Sequence, residues 1–169
     1  RPCLKTTELQ MLRTKNDLPE ATRAQAIALL NARLADSIDL GRQTKQAHWN
    51  VRGPHFIALH KLFDEVYDEV EEFTDLIAER VAQFAGAAEG TVQAAAAKTT
   101  LAPYPLNLVR GRDHVEALGS ALAAYGGIIR KAIDQADQLG DKGTADLFTE
   151  ISRGIDKALW MVEAHHQVE

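Results

Sequence analysis

The chain has 169 residues, 46% hydrophobic and 25% charged, with 24 Asp and Glu against 19 Lys and Arg for a formal charge of −5. That length suits one domain large enough to bury a core, and with no apolar run of about 18 residues a membrane-spanning helix is not expected. The acidic balance speaks against a closed surface that attracts nucleic-acid phosphates, while the lone Cys3 excludes an internal disulfide framework and fits a reducing cytoplasm.

Residues 1–16 read as an N-terminal tail. The start, Arg1-Pro2-Cys3-Leu4-Lys5-Thr6-Thr7-Glu8, has neither the apolar core of a signal peptide nor an initiating Met, so either residues precede it or these few are not native. Asp17-Leu18-Pro19-Glu20 then opens a helix that Ile27, Leu30, Leu34 and Ile38 carry at three- and four-residue spacing to about Trp49. His48 continues the seven-residue series Ile27, Leu34, Gly41 and is expected to face inward, which for an isolated histidine usually means a satisfied core position. Arg52-Gly53-Pro54 breaks the helix, and a second is predicted from Ile57 to about Phe84.

The second helix carries His60, Asp64, Asp75 and Glu79. At about 100° per residue, with His60 at zero, the other three fall near 40°, 60° and 100°, on one side of the helix. Any one of them alone is ordinary solvated surface, but the set, with His48 beyond the turn, offers nitrogen and carboxylate ligands suited to Fe(II), Mn(II) or Zn(II). One chain cannot bring them to one ion. The His60/Asp64 and Asp75/Glu79 pairs lie roughly 22 Å apart along the axis, whereas metal bonds are on the order of 2 Å. An antiparallel two-fold pairing of this helix, centred near Glu69 and Val70, lays each pair against the other chain's complement and makes two identical sites.

Beyond Gly86 and Gly90, Thr91 to Lys98 is a short helix candidate, followed by a connection containing Pro103 and Pro105. Val115, Leu118, Leu122, Tyr125, Ile129 and Ile133 mark a third long helix; Leu147, Phe148, Ile151, Ile155, Leu159 and Val162 mark a fourth. The fold expected is all-α, a ferritin-like four-helix bundle over residues 17–166, with a short extra helix in the long crossover between helices 2 and 3 and residues 167–169 as the C-terminal end. Tyr125, Trp160 and Met161 read as core or interface. Glu163-Ala164-His165-His166 is a lone Glu-x-x-His at the chain end, so the paired motifs of a di-iron oxygenase or larger ferritin are missing.

The stretch Thr44-Lys45-Gln46-Ala47-His48-Trp49-Asn50-Val51-Arg52-Gly53, with Phe56-Ile57-Ala58-Leu59-His60, Asp64 and Asp75-Leu76-Ile77-Ala78-Glu79-Arg80, closely resembles the Dps family of mini-ferritins, the DNA-binding proteins from starved cells. The likeness runs from about Thr14 to Val162, through Leu101-Ala102-Pro103-Tyr104-Pro105-Leu106 and Ile155-Asp156-Lys157-Ala158-Leu159-Trp160. It implies a ferroxidase centre of His48, His60 and Asp64 from one subunit with Asp75 and Glu79 from its two-fold mate. It also implies a dodecamer, Fe(II) as substrate, hydrogen peroxide as preferred oxidant over dioxygen, and a ferric mineral as product, with no organic cofactor.

In that family, carboxylates between the third and fourth helices line a three-fold pore that admits Fe(II). Asp137 and Asp146 match those positions, and Asp141 is a further candidate. Trp49 reads first as packing and second as a trap for stray oxidising equivalents beside the metal. Glu65, Asp68, Glu69 and Glu72 are either a solvated face or mineral-seeding carboxylates.

Two other functional classes stay open. One is a nucleoid-associated DNA-binding protein acting through the basic tail residues Arg1, Lys5, Arg13 and Lys15; the −5 charge makes such binding weak and salt-sensitive. The other is a zinc-bridged structural assembly, which would lack redox chemistry. The expected location is cytoplasmic, with nucleoid association under the DNA-binding reading.

Overall fold

Five helices make up the computed structural model, which describes residues 11–167: α1 (Glu20–Asn50), α2 (Phe56–Gln83), α3 (Val92–Lys98), α4 (Gly111–Gln138) and α5 (Lys142–Glu163). These agree with the periodicity to within a residue or so at the ends assigned from sequence, the usual fraying margin of helix termini. Most of the expected tail, residues 1–10, and Val168 and Glu169 lie outside the described residues.

Helices α1 and α2 pack together, as do α4 and α5, and the two hairpins close on each other through α1 against α4 and α2 against α5. The short α3 rests on α1, inside the crossover from α2 to α4. Thr91 starts it, its hydroxyl accepting from the Ala94 amide at 3.2 Å, where an orphan donor needs a partner. No helix is long and apolar enough to cross a membrane.

Leu30, Leu34, Phe63, Ile77, Leu118, Leu122, Tyr125, Ile129 and Phe148 are fully buried in one core. Each such side chain is worth about 1.5–3 kcal/mol relative to exposure. The helix α1 departs from a single apolar stripe: besides its leucines it buries Asp36, Ser37, Gln43 and Thr44, because α2, α3 and α4 cover it from several sides. Asp36 Oδ1 accepts from the Thr100 amide and hydroxyl at 2.7 and 2.9 Å, tying the crossover to the bundle. Tyr125 lies in the core, whereas Trp160 is 63% exposed on the single chain.

Candidate metal centre

The turn between α1 and α2 brings His48 and His60 together. Gly53 takes φ +120°, a conformation open to glycine and costly for other residues, and the chain reverses within five residues. The imidazoles of His48 and His60 then stack with centroids 3.8 Å apart and planes 21° from parallel. Nδ1 of His48 lies 2.7 Å from the His60 carbonyl oxygen, and Nδ1 of His60 lies 2.9 Å from the His48 carbonyl oxygen. A carbonyl can only accept, so each Nδ1 donates, and in the neutral ring the lone pair is left on Nε2. Backbone partners of this kind fix the tautomer and orientation that a metal-binding histidine needs.

Asp64 stands one helical turn beyond His60, its Oδ1 3.8 Å from His48 Nδ1. Asp75 and Glu79 are exposed further along α2, and no three His, Cys, Asp or Glu side chains converge on one point among the described residues. Glu79 lines a cleft of about 220 Å³ together with Asp146 and Glu150 of α5. Trp49 is 58% exposed and shares a surface depression with Phe56 and His60.

The three acidic candidates between α4 and α5 have different surroundings. Asp137 is exposed and pairs with Lys142; Asp146 is exposed on the first turns of α5. Asp141 is 2% exposed and caps α5: its carboxylate accepts from the Thr144 amide at 3.1 Å and from the Thr144 hydroxyl, and Arg80 Nη2 meets it at 3.1 Å. Its carboxylate is therefore engaged inside the chain as the cap of α5. Asp137 and Asp146 remain the exposed pair.

A family model for the ferritin-like domain matches residues 27–168. The chain is 47% identical over 155 residues to the DNA protection during starvation protein of Agrobacterium fabrum, covering 92% of this chain and 96% of that one. It belongs to the Dps family. Among solved Dps structures, DpsC from Streptomyces coelicolor superposes with a TM-score of 0.89 at 30% identity, over 98% of this chain and 96% of that chain. Mycobacterium smegmatis Dps in its tetragonal form gives 0.87 at 28% identity, over 92% and 94%.

Two residues of this Dps chain join the site without having been singled out from sequence. Lys45 forms an ion pair with Asp64, and its ammonium also sits 4.3 Å from the centre of the Tyr67 ring. The Lys45 hydrogen bond holds the Asp64 carboxyl below its ordinary range, against the opposing effect of burial. The available signal was the i, i+3 spacing of Lys45 and His48, which shares one helix face. Nothing in a helical period, however, tells which residue of α2 that face will meet.

Proposed function

We propose that this Dps chain oxidises Fe(II) at sites shared by two-fold-related subunits and stores the ferric product as mineral in a hollow dodecamer, limiting oxidative damage. One observation carries the reading: the reciprocally bonded His48–His60 pair, with both Nε2 lone pairs left for a metal beside the Asp64 carboxylate. The roughly 22 Å separation along α2 supports a second chain as the donor of Asp75 and Glu79.

In this mechanism Asp137 and Asp146, repeated about a three-fold axis, concentrate Fe(II) at the inlet. The cleft lined by Asp146, Glu150 and Glu79 supports a carboxylate route from that inlet to the α2 ligands. Imidazole nitrogens hold the ferrous ion, carboxylates favour the more highly charged ferric product, and hydrogen peroxide is the preferred electron acceptor over dioxygen. Fe(II) binding at Asp64 Oδ1 would compete with Lys45 for that oxygen. Trp49, exposed next to His60, would give up an electron to a stray oxidant. Glu65, Asp68 and Glu72 are exposed on the same helix and would seed mineral where they face a cavity.

The test is anaerobic Fe(II) loading followed by peroxide titration. Each peroxide accepts two electrons and each Fe(II) supplies one, so one peroxide should be consumed per pair of Fe(II), with little hydroxyl radical. Stoichiometric radical release, or no oxidation at all, would count against it; a purely zinc-bridged assembly predicts the latter. A second reading, DNA protection in the cytoplasm, is favoured by the name of the Agrobacterium relative. In its simplest form the basic tail supplies the phosphate contacts.

A further inference from the structure

Independently of the iron chemistry, we propose that a cavity at the start of α4 binds a phosphate group. The cavity, about 250 Å³, is lined by Arg52, Arg110 and Arg112 and by His55, His165 and His166, together with apolar groups that include Leu59 and Val115. Six side chains that are cationic or can become so thus surround one hollow in a protein whose formal charge is −5.

Backbone electrostatics add to that field. The N-termini of α2 and α4 both meet here, and neither has a side-chain cap on its amides. Arginine is the wrong sign for a helix start, where the partial charge of the peptide dipoles is already positive. Yet Arg110 is the N-cap of α4 and Arg112 stands in its first turn. The first turn of α2 holds no acid at all, and the single acid in that of α4, Asp113, is engaged with Arg110 at 2.8 and 3.3 Å. Glu116 lies 3.7 Å from His166 Nε2, and among the described residues His166 Nδ1 is buried with no partner. By contrast Asp137 sits near the other end of α4, about 40 Å away by helical rise.

The Arg52 side of the cavity is also held in place. The Arg52 amide donates to the Val109 carbonyl at 2.9 Å, and the Gly111 amide donates to the Arg52 carbonyl at 3.0 Å, locking the two arginine-bearing segments side by side. The Arg52 guanidinium is steadied by the carbonyls of Val51 and Trp49 at 2.8 and 3.2 Å. Guanidinium groups beside helix N-terminal amides match the oxygen geometry of phosphate, and here a phosphate would share Arg110 with Asp113. Such a group can come from free phosphate or from a nucleic-acid backbone, and the chemistry of the cavity is the same for both.

The experiment compares the native assembly with an Arg110→Gln/Arg112→Gln variant, both positions being exposed, and with Arg112→Gln alone in case the double change perturbs folding. Inorganic phosphate is titrated calorimetrically at constant ionic strength, and a short DNA duplex is followed by fluorescence anisotropy with and without phosphate. Saturable phosphate binding is expected, weakened at least about tenfold in the double variant, with melting temperature in phosphate-free buffer unchanged. If duplex affinity falls in parallel and phosphate displaces the duplex, the backbone of DNA is the source. Loss of phosphate binding with unchanged duplex affinity identifies free phosphate. Absence of saturable phosphate binding, or equal affinity in the folded variants, overturns the proposal. No iron enters the assay, so failure of the ferroxidase reading leaves the result intact.

Discussion

The ammonium of Lys45 and the carboxylate of Asp64 form an ion pair beside the stacked His48 and His60 rings. An internal cation thus holds a carboxylate that the proposed iron site needs. Replacing Lys45 by Met keeps most of its length and removes the competitor. Because the pair is only partly shielded from water, the gain is modest: binding of Co(II), a spectroscopic stand-in for Fe(II), should tighten by roughly three- to tenfold in absorbance titrations. Weaker binding by the folded variant would mean that Lys45 orients Asp64 and does not compete for it.

Sharing of the site between chains has a complementation signature. His60→Ala and Glu79→Ala should each impair oxidation. In a mixed two-fold dimer one site inherits both lesions and the other none. With random pairing half of the dimers are mixed, so about a quarter of all sites should recover. Stopped-flow oxidation by co-assembled mutants, compared with a blend of preformed mutant shells, reads this directly. No recovery after verified subunit exchange would rule out a two-chain site.

The acidic loop separates into two behaviours. Asp137→Asn with Asp146→Asn removes charge from exposed positions, so Fe(II) uptake at low salt should slow while assembly and melting temperature stay as they were. Asp141→Asn instead weakens a buried cap and its Arg80 partnership, and should cost about 1–2 kcal/mol in denaturant unfolding. Unchanged uptake in the first variant would place the inlet elsewhere.

Stability should carry a pH signature from His114. This side chain is 1% exposed, its Nδ1 meets the Tyr104 hydroxyl at 2.8 Å, and burial pushes its pKa down, only partly offset by backbone carbonyls and Asp113. A depressed histidine favours the neutral form in the folded state. Its contribution is therefore complete above the unfolded value of about 6.5 and is lost as pH falls below it toward the folded value. His114→Asn keeps a polar group near Tyr104 without a titrating ring. The difference between wild-type and variant unfolding free energies, measured from pH 7.5 to 5, should narrow on acidification. A difference that stays constant over that range would show that His114 does not titrate differently on folding.

The sequence by itself determined which residues share a helix face. The 3.6-residue period placed His60, Asp64, Asp75 and Glu79 on one side of α2, and Arg52-Gly53-Pro54 marked the reversal, because both follow from local backbone geometry. Helix boundaries and the short crossover helix were legible for the same reason. Only the tertiary structure decided what each face meets. Lys45 finds Asp64 across 19 positions, Arg80 finds Asp141 across 61, and Tyr104 packs its hydroxyl on His114 of the next helix. Asp137, Asp141 and Asp146 look alike as residues, yet burial makes one a cap and leaves two exposed. Side-chain burial depends on how separate helices pack, and a periodic pattern within one helix does not contain that information.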